Sequence, residues 1–417
     1  MAANETCLLA FENHSSFSAR AFEVVLALVN LSSLASNVAL VYWLLRTPAC
    51  FHVHLKVAFC TTASTLCFYF STKLVQVVFN LTNFVRGRLL ESPSCEDLVV
   101  TDAECCPAVC GASFAAMSVI YSFMVMAVER VWASVRYRVY EKQRSVLVAL
   151  SIALSPWLLS LLMVYPILNN LGKVTAIGYC SSFTTRLYGS GAAPAIRLMI
   201  GNIIISSLLL AIFGLVLRWN RRVKRRRKIT PAVARRQWGL TTAAALRQQR
   251  ATPAAARWNR AALATQTSRS AAAFPVAIEE SAAENLSSRY QLEENIRTSK
   301  TVVRIVLAFF LCSTLSQSFF ILGKTGVFAL LSESRLLQIV ATEVGYFAFP
   351  VFGLIFATLC MRSSGQLRAQ ARQALPLALA KLLFAEVNFV AATVATGKAL
   401  NYTRDHFAAI EEAWQRY

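Results

Sequence analysis

The chain has 417 residues, of which only 15% are charged, and its mean hydropathy is +0.50. A soluble domain carries about a quarter charged residues, so a large water-soluble fold is excluded and the clustered apolar runs point to membrane spans. The net charge of +21 raises nucleic acid as a partner; the placement of that charge, given below, argues against it.

In chain order, residues 1–20 are expected to form an extracellular N-terminal tail. No Arg-rich region followed by a short apolar run and a small-residue cleavage site is seen there, so the first apolar run reads as a span and not a signal peptide. Asn4 in "NET" and Asn13 in "NHS" are glycosylation acceptors on this tail. Asn80 in "NLT" lies too close to a span end to count. Asn285 and Asn401 match the same pattern but fall on the inner side.

Seven runs are long enough to cross about 30 Å of hydrocarbon as helices. They are placed at 21–45, 55–80, 107–128, 146–168, 195–217, 302–322 and 336–361. Each must satisfy its backbone hydrogen bonds internally, which predicts an all-α bundle. A weaker run at 375–397 contains Pro376, Lys381, Glu386 and Asn388, and reads as a membrane-surface helix within a cytoplasmic tail, 362–417.

Lys and Arg orient the bundle. The segment after span three holds Arg130, Arg136, Arg138, Lys142 and Arg144, and "RWNRRVKRRRK" after span five carries eight cations in eleven residues. Between spans two and three, Arg86 and Arg88 are outnumbered by Glu91, Glu96, Asp97, Asp102 and Glu104. The N-terminus is therefore expected outside and the C-terminus inside. A basic run beside a span serves to hold the helix end at anionic inner-leaflet lipid, which is why nucleic acid is set aside.

Residues 229–283, rich in Ala, Arg and Gln, show no sustained apolar period and are expected to be a disordered insert in the third inner loop. Next comes "LSSRYQLEENIRTSKTVVRIVLAFFL" from Leu286, polar all round at first and then apolar all round. Ser288 and Gln291 match a capping box, and Arg289, Glu293 and Arg297 stand four apart. With no Gly or Pro intervening, span six is expected to continue inward as one rod of about 35 residues, roughly 50 Å long. Such a rod is a cytosolic lever or a static stalk.

Of eleven cysteines, Cys7, Cys95, Cys105, Cys106, Cys110 and Cys180 fall at or near the outer face, where oxidation occurs. A bond from Cys105 or Cys106 to Cys180 would tie the top of span three to the second outer loop; spacing alone does not choose. No G-x-x-x-x-G-K, H-E-x-x-H or C-x-x-C is present, and nothing assembles a nucleophile with its base. No enzyme, cofactor or metal site is expected. The "HVH" at His52 reads as polar anchoring at the inner interface.

Seven spans, an outer N-terminus, Glu129 and Arg130 ending span three, and a cationic third inner loop together resemble a G-protein-coupled receptor. "ERVWASVRYRVYE" (Glu129, Arg130, Ala133, Ser134, Tyr140, Glu141) is similar to the E-R-x-x-A-T followed by Y-E of nematode serpentine chemoreceptors. "LSSRYQLEENIR" (Leu286, Ser287, Arg289, Tyr290, Gln291, Glu294, Asn295) resembles the L-S-x-x-[YF]-Q-x-x-E-N of their Sra, Srab, Srb and Sre classes, with Sra/Srab favoured. The tail "DHFAAIEEAW" is like the aromatic-rich tail end of the same receptors. Asn37 and Trp157 have counterparts in the wider rhodopsin-like pattern, and Cys105, 25 residues before Arg130, has the spacing of that family's outer disulfide. Span two offers no Asp, span six no Pro, and span seven reads "FPVFG", so the usual microswitches do not carry over.

The resemblance implies a small-molecule ligand, a heterotrimeric G protein, and a sensory-cell plasma membrane, with the switch at Glu129, Arg130, Arg289, Tyr290, Gln291, Glu294 and Asn295. A homo- or hetero-dimer is left open. Ionisable residues inside a membrane are costly and default to functional candidates; Lys73, Arg197 and Glu343 fall in the outer halves of their spans and are the candidate ligand contacts. The rival reading is a ligand-gated channel subunit or small transporter; the first is disfavoured by orientation, the second by the lack of repeated or broken spans.

Overall fold

The computed structural model describes residues 17–47, 51–89, 100–136, 140, 145–168, 176–177, 180, 197, 199–225, 274–324, 344–345 and 347–374. Within them the helices are α1 (Phe17–Arg46), α2 (Val53–Leu89), α3 (Asp102–Val135), α4 (Val146–Leu168), α5 (Met199–Arg225), α6 (Phe274–Lys324), α7 (Ala348–Ser363) and α8 (Gly365–Ala374). Five of these, α1, α2, α3, α5 and α6, are long and apolar enough to cross a membrane, and α7 and the segment Val146–Leu162 of α4 are shorter apolar helices. Five and two make the seven-helix bundle expected from the sequence. Asn4, Asn13, Glu343 and the 375–397 run lie outside the described residues.

Several helices, α2, α3 and α6 above all, outrun the apolar runs that predicted them, whereas α4 coincides with its run. Hydrocarbon requires only about 20 residues, whereas α2 has 37 and α3 has 34, because polar ends continue helically into the interface. The largest departure is α6, which has 51 residues and begins at Phe274, not at Ser288. Residues 274–283, expected to be disordered, are helical. Pro275 in the first turn is favourable there, and the Ala- and Glu-rich "AIEESAAENL" that follows is good helix former. Ser288 is thus an interior residue and not a cap.

Within the bundle α1 packs on α2 and α7; α3 packs on α2, α4 and α6; and α6 packs on α7. Polar side chains fasten several of these seams. On α1, Ser33 Oγ donates to the Pro350 carbonyl at 2.7 Å and Asn37 Nδ2 to the Gly353 carbonyl at 3.2 Å, both on α7. Trp157 Nε1 of α4 donates to Thr65 Oγ1 of α2 at 2.9 Å. Gly353 permits the close approach of α7 to α2 and α1: a Cβ there would lie 2.8 Å from Phe70 Cε2 of α2 and 3.3 Å from Asn37 Nδ2 of α1.

The middle of the bundle is aromatic. Phe123 of α3, Phe309 of α6 and Phe352 of α7 pack with ring centroids 4.8, 5.3 and 6.0 Å apart, and Phe356 continues the stack to Phe59 of α2. All five are essentially fully buried.

At the outer end, β1 (Val100–Thr101) pairs antiparallel with β2 (Ala176–Ile177), Val100 facing Ile177. Thr101 also caps α3: its hydroxyl accepts from the Glu104 amide, and the Glu104 carboxylate accepts from the Thr101 amide at 2.9 Å. Considered by itself, α8 is a ten-residue helix, "GQLRAQARQA".

Candidate functional site

Two polar clusters stand out, one on each side of the aromatic middle. The outer cluster surrounds a cavity of about 70 Å³ between α2, α3, α5, α6 and α7. Lys73 and Tyr69 come from α2, Asn202 from α5, and Ser316 and Gln317 from α6, with Ile120, Phe320 and Phe349 among the apolar walls. Lys73 is buried, and its ammonium donates to Gln76 Oε1 at 2.9 Å. Burial of an ammonium is expensive unless it is hydrogen-bonded or paired, and Gln76 meets part of that need.

The wall above this cavity is anchored by a disulfide joining Cys105 of α3 to Cys180, with Cα atoms 5.6 Å apart. Cys105, Val109 and Cys180 form a buried apolar patch against Phe79. The Cys180 carbonyl accepts from Gln76 Nε2 at 2.8 Å and from Asn80 Nδ2 at 3.2 Å. The second outer loop is therefore tied to both α3 and α2 at one residue. Of the three ligand candidates from the sequence, Lys73 lines the cavity, Arg197 is exposed and does not line it, and Glu343 lies outside the described residues.

The inner cluster is built on Arg130, which is 2% exposed although it is the largest charged side chain in α3. Its Nε and Nη2 each donate to one oxygen of Glu129 at 2.5 Å, a bidentate pair. Nη1 donates to Thr298 Oγ1 of α6 at 2.9 Å. Tyr140, from the second inner loop, donates its hydroxyl to the same Glu129 carboxylate and lies 3.4 Å from Arg130 Nη2. Burial pushes the Tyr140 phenol well above its ordinary pKa, and the adjacent carboxylate raises it further. Tyr140 consequently remains a hydrogen-bond donor at any physiological pH.

Further contacts hold the inner ends of three helices around this arginine. Ser134 Oγ donates to the Arg130 carbonyl and accepts from Asn220 Nδ2 of α5 at 2.9 Å. Asn295 Nδ2 of α6 donates to the Ala133 carbonyl at 3.2 Å, and Lys224 of α5 pairs with Glu293 of α6. Arg297 Nη2 donates to the Ser363 carbonyl of α7 at 2.7 Å. His52 stacks on Tyr140 with ring centroids 4.0 Å apart.

Glu129, Arg130 and Asn295 thus fall in one cluster, and Glu294 accepts from Thr298 through its carbonyl. Arg289, Tyr290 and Gln291 lie on α6 where only the backbone is described. Thr298 and Asn220 carry no sequence signal of their own, and His52, read from the sequence as interface anchoring, is found stacked on Tyr140. Tyr140 was visible as a motif position, but its bond to Glu129 was not. Among the described residues no group of His, Cys, Asp and Glu is placed to hold a metal ion.

A seven-helix bundle with hydrophobic helices exposing Leu, Val and Trp side chains is an integral multi-pass membrane protein, here with a buried Glu–Arg pair at the inner end of α3. The chain belongs to the serpentine type 7TM GPCR receptor class ab chemoreceptor family, whose model matches residues 5–236 and 276–381. The interruption falls within the Ala- and Arg-rich inner loop. No curated protein sequence matches the chain. The family is a receptor class and not an enzyme family.

Proposed function

We propose that this receptor binds a small chemical cue in the outer half of the bundle and signals to a heterotrimeric G protein through inner loops two and three and the inward extension of α6. It catalyses no reaction itself, and it works at the plasma membrane of a sensory cell, in its cilia. The observation that carries this reading is the inner arginine. A buried charge held by hydrogen bonds from three separate stretches of chain is costly to assemble and is otherwise unexplained by packing. The aromatic stack of Phe123, Phe309 and Phe352 lies between the outer cavity and Arg130 along α3, α6 and α7, so a repacking at one end has a physical route to the other.

Lys73 and Glu343 are the proposed ligand contacts; Arg197, the third candidate from the sequence, does not line the cavity and is not assigned to it. The test is ligand-dependent nucleotide exchange on G proteins co-expressed with the receptor. Glu343→Gln and Lys73→Gln should shift the dose-response at unchanged surface delivery, whereas Arg130→Gln should change coupling at unchanged ligand affinity. A ligand-evoked ion current in cells lacking G proteins would replace this reading with a channel.

A further inference from the structure

A second cavity, about 370 Å³, lies beside the inner cluster. It is a groove between the inner ends of α3 and α5, lined by Val131, Ser134 and Val135 on one side and by Leu215, Val216, Arg218, Trp219 and Arg222 on the other. Its walls are apolar and open: Val135, Leu215 and Trp219 are each more than half exposed. Its rim is cationic, and it contains no carboxylate.

Arg218 and Arg222 stand four apart and so project from one face of α5, about 5–6 Å from each other at Cβ. That spacing lets both guanidinium groups reach the oxygens of a single phosphate, the anion their fork geometry fits best. The neighbouring cation Lys224 is engaged by Glu293, whereas among the described residues no carboxylate pairs with Arg218 or Arg222. The apolar run of span five ends at residue 217, so the two arginines sit at headgroup level with Leu215 just inside the hydrocarbon. Trp219, flanked by both, is amphipathic and suited to the same interface.

We infer that this groove is a site for an anionic phospholipid of the inner leaflet, its phosphate held by Arg218 and Arg222 and an acyl chain laid over Val131, Val135, Leu215 and Trp219. The two halves of the site choose the occupant together. A free phosphate has no use for the apolar walls, and a neutral lipid has no use for the paired arginines. The floor of the groove includes Ser134, which bonds both Asn220 and the Arg130 carbonyl, so the lipid rests on the same seam that holds the inner cluster.

The test uses the full-length receptor in nanodiscs containing phosphatidylserine or phosphatidylcholine with brominated acyl chains, which quench tryptophan on contact. The Trp219 component is the difference between wild type and Trp219→Phe. A juxtamembrane cation favours anionic lipid by about fivefold, so brominated phosphatidylserine should quench that component at roughly thirtyfold lower mole fraction than phosphatidylcholine if both arginines act. Arg218→Gln and Arg222→Gln should each remove about fivefold of the preference. Arg136→Gln and Arg225→Gln, basic positions off the groove, should leave most of it. Soluble glycerophosphoserine should not compete.

Equal quenching by both lipids would overturn the inference. An equal loss in the off-groove variants would reduce it to general surface charge, and competition by the soluble headgroup would remove the role of the acyl chain. If the groove variants instead abolished G-protein activation with lipid preference intact, the groove would be a protein contact and not a lipid site.

Discussion

Arg130 and Tyr140, ten residues apart and on different segments, converge on one carboxylate: both donate to Glu129, and both are at least nine-tenths buried. The acid is held by an arginine beside it in α3 and by a phenol that returns from the second inner loop. Loop and helix are locked by that shared acceptor.

Tyr140→Phe removes one donor from the buried carboxylate while keeping the ring on His52. The loss should be about 1–3 kcal/mol. It should appear as a lower Tm of purified receptor and, on the proposed function, as raised ligand-independent nucleotide exchange. Unchanged basal exchange with a lowered Tm would make Tyr140 purely structural.

Thr298→Val keeps volume and deletes the α3–α6 bond from Arg130 Nη1. A bond to a charged group contributes about 1.5–3 kcal/mol, so basal activity should rise by roughly tenfold or more. Thr298→Ser, which restores the hydroxyl, should return it to the wild-type level. Basal exchange assays on the two variants side by side decide the matter.

Only Asn4 and Asn13 should carry glycans. Asn80 matches the acceptor pattern but is 4% exposed, and its amide nitrogen is spent on the Cys180 carbonyl. Glycosidase treatment should produce a two-glycan shift in wild type and none in an Asn4→Gln, Asn13→Gln variant. A shift remaining in that variant and lost on adding Asn80→Gln would contradict the buried placement.

The Cys105–Cys180 bond closes 75 residues of chain. Removal of a native disulfide costs about 2–5 kcal/mol in small domains. Cys105→Ser and Cys180→Ser should each lower Tm, and the double variant should be no worse than either single one. Additive losses would mean that each cysteine acts separately.

Acid should weaken the outer end of α3. Glu104 is held below the usual carboxylate range by the Thr101 amide first and the Thr101 hydroxyl second. Its folded pKa is depressed, so its contribution is present above the ordinary Glu value near 4.5 and is lost as pH falls through the lower folded value. Glu104 is mostly solvent-facing, so the effect is a few tenths of a kcal/mol. Wild type and Glu104→Gln should differ in Tm at pH 6 and converge as the pH is taken below the folded pKa of Glu104.

The spans were legible because hydrocarbon imposes a length and a composition that no other environment demands. The helix ends were not, since polar residues such as those of "LSSRYQLEENIR" are equally content as cap, loop or helix interior. Glu129 and Arg130 could be picked out as a charged pair at a boundary. Thr298 and Asn220 could not, because a Thr or Asn on a helix has many uses and only the packing of α3 against α5 and α6 selects one. Lys73 was visible as an ion in an apolar run; its bond to Gln76 one turn later, and the tie from Gln76 to Cys180, depend on where the loop lands.

The shared hold on Arg130 has a consequence for how faint a signal such a receptor can report. A sensory membrane is read against its own background, set by copies that switch with nothing bound. Each 1.4 kcal/mol added to the resting arrangement silences that background tenfold, and it raises by the same amount what a true stimulus must supply. On the proposed function, Glu129, Tyr140 and Thr298 therefore set a detection threshold: their number trades sensitivity against false alarms, and substitutions among them would retune the receptor without touching the chemistry it recognises.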